Sequence, residues 1–346
     1  MKWLARIFVI LLILALIAGG AALAGLKWFE AKITSPGPMA GSEDQIVFVP
    51  RGSGVSSIGQ RLEEAGLIDD ARLFRLAARF EQVDADLKAG EYLVPADSSM
   101  VDILELMASG KVLLHNLTIV EGSTVAQAMR AIETADFLTG DMPETPPEGS
   151  LLPETHAFTR GTTRAEVVEM FKTYQDNLLD EIWDARAEGL PIDSREDAII
   201  LASIVEKETG SVGDEDLVAS VFVNRLKLGM RLQSDPTIIY GISKGERLMR
   251  TLPDGREVQR GLFRSEIDRV TPYNTYQVDG LPPTPICNPS EAALRAVLQP
   301  AESDYLFFVA DGSGNHAFSR TNAEHNRNVA RWRQIEAERR RAEQGG

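Results

Sequence analysis

Leu201-Ala-Ser-Ile-Val-Glu-Lys-Glu-Thr-Gly210 is the stretch from which the rest of the chain is read. Upstream of it, Ser194 precedes Arg195, Glu196 and Asp197, a hydroxyl cap followed by acids that suit the positive end of a helix dipole. From Ala198 to Val205 every residue except Ser203 is apolar. A helix apolar on nearly all sides is a buried helix, not a surface one. Glu206 and Glu208 enter its last turn, and Gly210 stands where a helix C-terminus is commonly closed. Residues three or four apart share a face, so Glu206 lies under Ala202, Ser203 and Ile199, and Glu208 under Ile204, Val205 and Leu201. Small side chains above Glu206 leave room for a ligand to approach. Apolar neighbours disfavour a carboxylate and raise its pKa, which lets a glutamate hold a proton near neutral pH and donate it. The same pattern also describes a polar helix end leaving the core for solvent, and on these residues alone both readings stand.

A chain of 346 residues with 44% hydrophobic content can bury a sizeable core in two modest domains. Its formal net charge of -15 argues against a nucleic-acid partner, which wants a basic face. Cys287 is the single cysteine, so no disulfide can form within the chain. The four histidines are scattered without ligand spacing, so neither a metal site nor a cofactor is expected.

Ile7 to Leu26 is an uncharged apolar run of bilayer-spanning length. Lys2 and Arg6 precede it, which places the N-terminus in the cytoplasm and the remainder outside, with Trp28 and Phe29 at the far interface. A rival reading takes Ala22-Leu-Ala24 as a signal-peptidase site, with a mature chain beginning near Gly25. Thr34 to Asp44, rich in Pro, Gly and Ser, reads as a linker.

A strand, a Ser- or Thr-bearing turn and an amphipathic helix then occur three times, beginning at Ile46-Val-Phe-Val-Pro50, Tyr92-Leu-Val-Pro95 and Leu117-Thr-Ile-Val120. A further helix is expected over Asp70 to Phe80, and the third strand either completes this region or opens the next. Phe137 to Ser150 reads as a loop, and Thr163 caps a helix expected to reach about Glu188. Another helix over Asp214 to Leu228 should bury Leu217, Val221 and Leu228, with Asn224 on that stripe needing a hydrogen-bond partner. Gln233, Ser234 and Asp235 form a polar turn that either contacts a ligand or caps the next helix. Ser243 to Gly261 reads as a flexible lid or insertion. Tyr273 and Tyr276 can stack on a ligand and Asn274 can hydrogen-bond one, although paired tyrosines are as often core. Ser290 to Leu298 is a helix. Tyr305 to Val309 and His316 to Ser319 make a hairpin, and His325 and Asn326 open a last helix.

The ordered set Leu201 to Thr209, Val221-Phe-Val-Asn-Arg-Leu226, Gly229-Met-Arg-Leu-Gln-Ser-Asp-Pro-Thr237, Tyr240-Gly241, Thr271-Pro-Tyr-Asn-Thr-Tyr276 and Gly280-Leu-Pro-Pro283 closely resembles the endolytic murein transglycosylase (YceG-like) family. The likeness runs from about Ile46 to Asn328. It implies an α+β fold: an N-terminal transmembrane helix, a small LysM-like α/β subdomain and a mixed α+β catalytic domain. The corresponding segments are residues 1–6 in the cytoplasm, 7–26 as anchor, 27–45 as linker, 46–115 as the LysM-like subdomain, 116–332 as the catalytic domain and 333–346 as a charged tail. The glutamate directly after Ser-Ile-Val, here Glu206, is expected to be the catalytic acid/base. The groove is expected to include Gln233, Ser234, Asp235, Tyr273, Asn274, Tyr276 and Glu154. His156 stands where that family more often has an aromatic ring, and Thr284 and Ser290 replace glycines.

The implied activity is non-hydrolytic cleavage of the β-1,4 bond between N-acetylmuramic acid and N-acetylglucosamine in nascent peptidoglycan strands, leaving 1,6-anhydro ends. Cell-wall synthases (penicillin-binding proteins) are the implied partners, and the plasma membrane the implied location. Two other classes remain open: a hydrolase pairing Glu206 with Glu154, Glu208 or Asp235 to activate water, and a tethered glycan-binding protein without catalysis.

Overall fold

The structure is a computed structural model that describes residues 2–209 and 213–344; Gly210, expected to close the central helix, lies outside the described residues. The elements follow the chain as α1 (Lys2–Thr34), β1 (Gln45–Val49), α2 (Val55–Glu64), α3 (Ala71–Phe80), β2 (Gly90–Val94), α4 (Met100–Ser109), β3 (Leu114–Thr118), α5 (Val125–Thr134), β4 (Thr155–Thr159) and α6 (Arg164–Trp183). Then come α7 (Arg195–Thr209), α8 (Glu215–Lys227), α9 (Asp235–Ser243), β5 (Met249–Thr251), β6 (Glu257–Gln259), α10 (Arg264–Ile267), α11 (Glu291–Leu298), β7 (Phe307–Ala310), β8 (His316–Ser319) and α12 (Asn322–Gln344). Helices and short two-stranded sheets together make a mixed α+β chain. It forms two compact units, Met1–His115 with Ala157–Thr162, and Asn116–His156 with Thr163–Gly346.

In the first unit, β1 and β2 pair antiparallel with Val47 opposite Tyr92. One face of this ladder, with Val47, Val49, Tyr92 and Val94, packs on Ile58, Leu62, Phe74, Ile103, Leu104 and Met107 from the helices. Such clusters are the main favourable term in folding a unit this small. Local chemistry sets the helix starts. Ser99 and Asp102 close a reciprocal capping box on α4, and Asp70 accepts from the Arg72 and Leu73 amides at the start of α3.

The first helix differs from expectation. It does not give way to a free linker at Lys27 but continues to Thr34, where Ile33 is buried with the first unit's core. Phe29 packs edge-on against Phe80, and Lys32 pairs with Asp69 at 2.6 Å. Pro36 bridges to Ser99, and a side chain on Gly37 would collide with the Leu67 carbonyl. The remainder of α1 is one apolar helix, largely exposed and long enough to cross a membrane.

In the second unit, α7, α8 and α11 pack on one another around Leu201, Ile204, Val205, Phe222, Leu294 and Val297. Ser194 caps α7 by accepting from the Asp197 amide, and the Asp197 carboxylate accepts from the Ser194 amide in return. The buried face of α8 is Val218, Ala219, Val221, Phe222, Val223 and Arg225. Of the expected stripe, Val221 is buried, whereas Leu228 is exposed because the helix ends at Lys227 and Leu228 is its C-cap residue. Asn224 finds its partners, donating to the Ser303 and Tyr305 carbonyls at 2.9 and 3.1 Å. The supposed lid folds into the β5–β6 hairpin, with Met249 opposite Gln259 and a turn through Asp254-Gly255. Strand β7 begins at Phe307, two residues later than expected, and pairs with β8. Helix α6 stops at Trp183 and α12 starts at Asn322.

Candidate functional site

Two carboxyl groups two residues apart on α7 meet different surroundings. Glu206 is 6% exposed. Its Oε2 accepts from the Ser290 hydroxyl at 2.6 Å and from the Ser290 amide at 3.0 Å, at the N-terminus of α11. Gly122, in a left-handed conformation, lies close enough that a Cβ there would be 3.4 Å from Glu206 Cγ. Burial raises the Glu206 pKa, against the two Ser290 hydrogen bonds. The expectation of a perturbed acid therefore holds for Glu206, but the group borders none of the described cavities that have room for a sugar.

Glu208 points elsewhere. With Phe222, Arg225, Leu232, Gln233, Asp235, Tyr276, His316 and the β7 strand it lines an open cavity of about 630 Å³. That falls within the size range of small-molecule clefts. Ser234 donates to Glu208 Oε1 at 2.6 Å and so fixes the carboxyl rotamer. Desolvation pushes the Glu208 pKa up to about 7, opposed by the Ser234 hydrogen bond and the Arg225 charge. A carboxyl with that value holds a proton at neutral pH and gives up little energy to release it.

The other expected residues separate into two groups. Gln233, Asp235 and Tyr276 line this cavity together. The Tyr276 hydroxyl donates to Asp235 Oδ1 at 2.8 Å, and burial raises its pKa. Gln233 sits at φ +53, an uncommon conformation for a residue with a side chain, and its amide donates to the Thr275 carbonyl. Ser234 is almost wholly buried, and its amide donates to Thr275 Oγ1. It therefore acts on Glu208, not on a ligand.

Tyr273, Asn274 and Glu154 do not line this cavity. Tyr273 packs on Tyr240, and its hydroxyl lies 2.9 Å from Thr284 Oγ1, so its partly buried ring packs against the core. Asn274 is fully buried; its Nδ2 donates to the Glu266, Ile267 and Arg269 carbonyls while its Oδ1 accepts from the Tyr276 amide. Every polar atom of its side chain is committed to holding the turn that presents Tyr276, and none is left for an acetamido group. Glu154 lies 2.8 Å from His156 Nε2, whose ring packs on Phe171 and Tyr174. Replacing Asn274 with Ala takes the donor from three part-buried carbonyls and the acceptor from the Tyr276 amide, and we expect a loss of roughly 1–3 kcal/mol in urea unfolding. An unchanged KM in the folded fraction separates this role from ligand contact.

The sequence reading missed Arg225, His316, His325 and the β7 strand as cavity residues. Arg225 is 7% exposed and donates to the Leu306 and Leu232 carbonyls, both at 2.7 Å, which ties α8 to the hairpin and to the loop before α9. A cation flanked by Val221, Phe222 and Val223 on an apolar helix face was the available signal.

A family model described as the YceG-like family matches residues 47–331. A Bacillus subtilis (strain 168) protein named Endolytic murein transglycosylase is 28% identical, with 90% of each chain covered. A protein of the same name from Streptococcus pneumoniae serotype 2 (strain D39 / NCTC 7466) is 29% identical over 92% of this chain and 64% of its own length. The crystal structure of a yceG-like protein from Listeria monocytogenes matches at 30% identity with a TM-score of 0.47, covering 82% of this chain and 99% of that one.

Proposed function

The chain belongs to the YceG-like family, and from that premise we propose that it is a membrane-anchored peptidoglycan lytic transglycosylase with Glu208 as its acid. The relatives' shared name supplies the reaction class. The observation that carries the assignment to a residue is Glu208 on the wall of the 630 Å³ cavity with its pKa near 7. Glu206, the residue the family likeness suggested first, commits its Oε2 to Ser290 and so docks α11 on α7.

The substrate is a glycan strand, and the bond cut is the β-1,4 link after N-acetylmuramic acid. Protonated Glu208 gives its hydrogen to the glycosidic oxygen. The sugar's own C6 hydroxyl closes onto C1, leaving a 1,6-anhydro end with no water added. Asp235, Gln233 and Tyr276 border the same space and supply polar contacts to the sugar. Helix α1 holds the chain in the plasma membrane as a single pass, N-terminus inward and both units on the outer side, close to nascent strands and to the synthases that make them. Under this proposal residues 46–115 form a LysM-like spacer and 116–332 the catalytic domain, and cleavage ends strand elongation.

Mass spectrometry of glycan strands incubated with the full-length protein tests the proposal. Ends lacking one water are expected. Ends carrying an added water make the chain a hydrolase, and intact strands make it a binding protein; either result overturns the proposal.

A further inference from the structure

His316 shares the Glu208 cavity. It opens β8 opposite Ala310, and its Nδ1 lies 2.8 Å from Asp214 Oδ2. Both side chains are 13% exposed, and Phe308 meets the imidazole edge-on at 5.3 Å. A carboxylate only accepts, so Nδ1 carries the hydrogen, and in the neutral ring Nε2 then presents a lone pair. Among the described residues Nε2 has no hydrogen-bond partner.

Asp214 strengthens this arrangement. It occupies the N-cap position of α8, where an aspartate usually accepts from the first-turn amides, yet its side chain makes no such bond. Forgoing a cap destabilises the start of a helix. Its Oδ1 is buried without a partner among the described residues, a further cost. The carboxylate is thus committed to His316 at the expense of its own helix, as expected for a group that orients a base. The other charges facing His316 have their own partners. Arg225 serves the Leu306 and Leu232 carbonyls, Asp235 the Tyr276 hydroxyl and Asp311 the Ser313 amide. On α12, His325 stacks against Phe307.

We infer that His316 is a second catalytic residue, the base that takes the C6 hydroxyl proton while Glu208 protonates the leaving oxygen. The inference rests on the transglycosylase proposal. In the step, the C1–O bond breaks with its electron pair going to the glycosidic oxygen, which receives hydrogen from Glu208. A lone pair on O6 forms the O6–C1 bond, and the hydrogen on O6 passes to Nε2. Glu208 ends as carboxylate and His316 as imidazolium, and one proton moved between them through solvent resets the site. A single carboxyl would need one oxygen to serve two substrate oxygens in turn, because Ser234 already occupies Glu208 Oε1.

The test compares the parent with His316→Gln and Asp214→Asn, all full-length. It measures kcat/KM against pH and the ratio of anhydro to water-added ends. The parent's rate should fall on both the acid and alkaline sides. In His316→Gln the rate should drop roughly 100-fold, the acid-side fall should disappear, and the share of water-added ends should rise. Asp214→Asn should behave alike, because an amide donating to Nδ1 moves the hydrogen onto Nε2. The shape of the profile and the end ratio do not depend on how much of a variant folds. His316→Gln with the parental acid-side fall and the parental end ratio overturns the inference, whatever its rate. A parent yielding only water-added ends overturns the proposal beneath it instead.

Discussion

Glu208→Gln should lower strand cleavage by roughly 10²–10⁴-fold, the usual contribution of a general acid, with substrate binding retained. Glu206→Gln should keep most of the activity of whatever folds, because an amide oxygen still accepts from Ser290. Turnover by both purified variants, normalised to folded protein, decides between the two carboxyls. Parental turnover in Glu208→Gln together with loss in Glu206→Gln would return the acid to Glu206. The pH dependence is fixed by sign. Under the proposed assignment the acid form is the active one, so on the alkaline side the parental rate should fall as pH rises through about 7.

The same carboxyl bears on stability. Its folded pKa lies above the usual 4.5, so the native state holds the proton more tightly than the unfolded chain between about 4.5 and 7. Stability should therefore decline as pH rises across that window and stay lowered above it. The shift sets a ceiling of ~3 kcal/mol for this group. Glu208→Gln should escape the decline, melting higher than the parent at pH 8 and close to it at pH 4. Activity lost and stability gained in one variant is the signature of a site that pays for a buried charge.

Arg225→Met should cost the most stability of any single change in the cavity. The methionine fills much of the same space but donates nothing to the Leu306 and Leu232 carbonyls, or to the Arg231 carbonyl at 3.4 Å. Each buried acceptor left bare costs roughly 1–3 kcal/mol, so a total of about 3–5 kcal/mol is expected. In a unit of this size that lowers the melting temperature by on the order of 10 °C. Removing the cation also removes a charge that favours ionised Glu208, so the alkaline fall in kcat/KM of the folded fraction should move to higher pH. Calorimetry and the pH profile check the two effects separately.

Much of the architecture could be read from local chemistry. Ser99, Thr124, Thr163, Ser194 and Ser290 all start helices where their hydroxyls announced them, because a cap acts within three residues of itself. The strand-turn-helix periods at Ile46 and Tyr92 were legible in their β-branched and aromatic runs, whereas the third strand runs Leu114–Thr118, three residues ahead of the expected start at Leu117. The choice between Glu206 and Glu208 was not. They stand about 200° apart around α7, and a helix apolar on every side carries no pattern that says which direction opens on a cavity. That is decided by α11 closing over one flank and β7 standing back from the other. Asn274 was misread because its partners are backbone carbonyls, which no side-chain pattern reveals. The β5–β6 hairpin did leave a signal, Asp254-Gly255 between two short extended runs, which the surrounding charges obscured.

Helix α1 enters the first unit without a break, and Ile33 is gripped by that unit's core. A bilayer-spanning segment ending at Leu26 leaves only the eight residues to Thr34, about 12 Å of helix at 1.5 Å per residue. The stalk is therefore a strut of set length instead of a leash. Under the proposed anchoring it would fix how far above the lipid headgroups the first unit begins, and an insertion of flexible glycines after Leu26 would replace that gauge with slack.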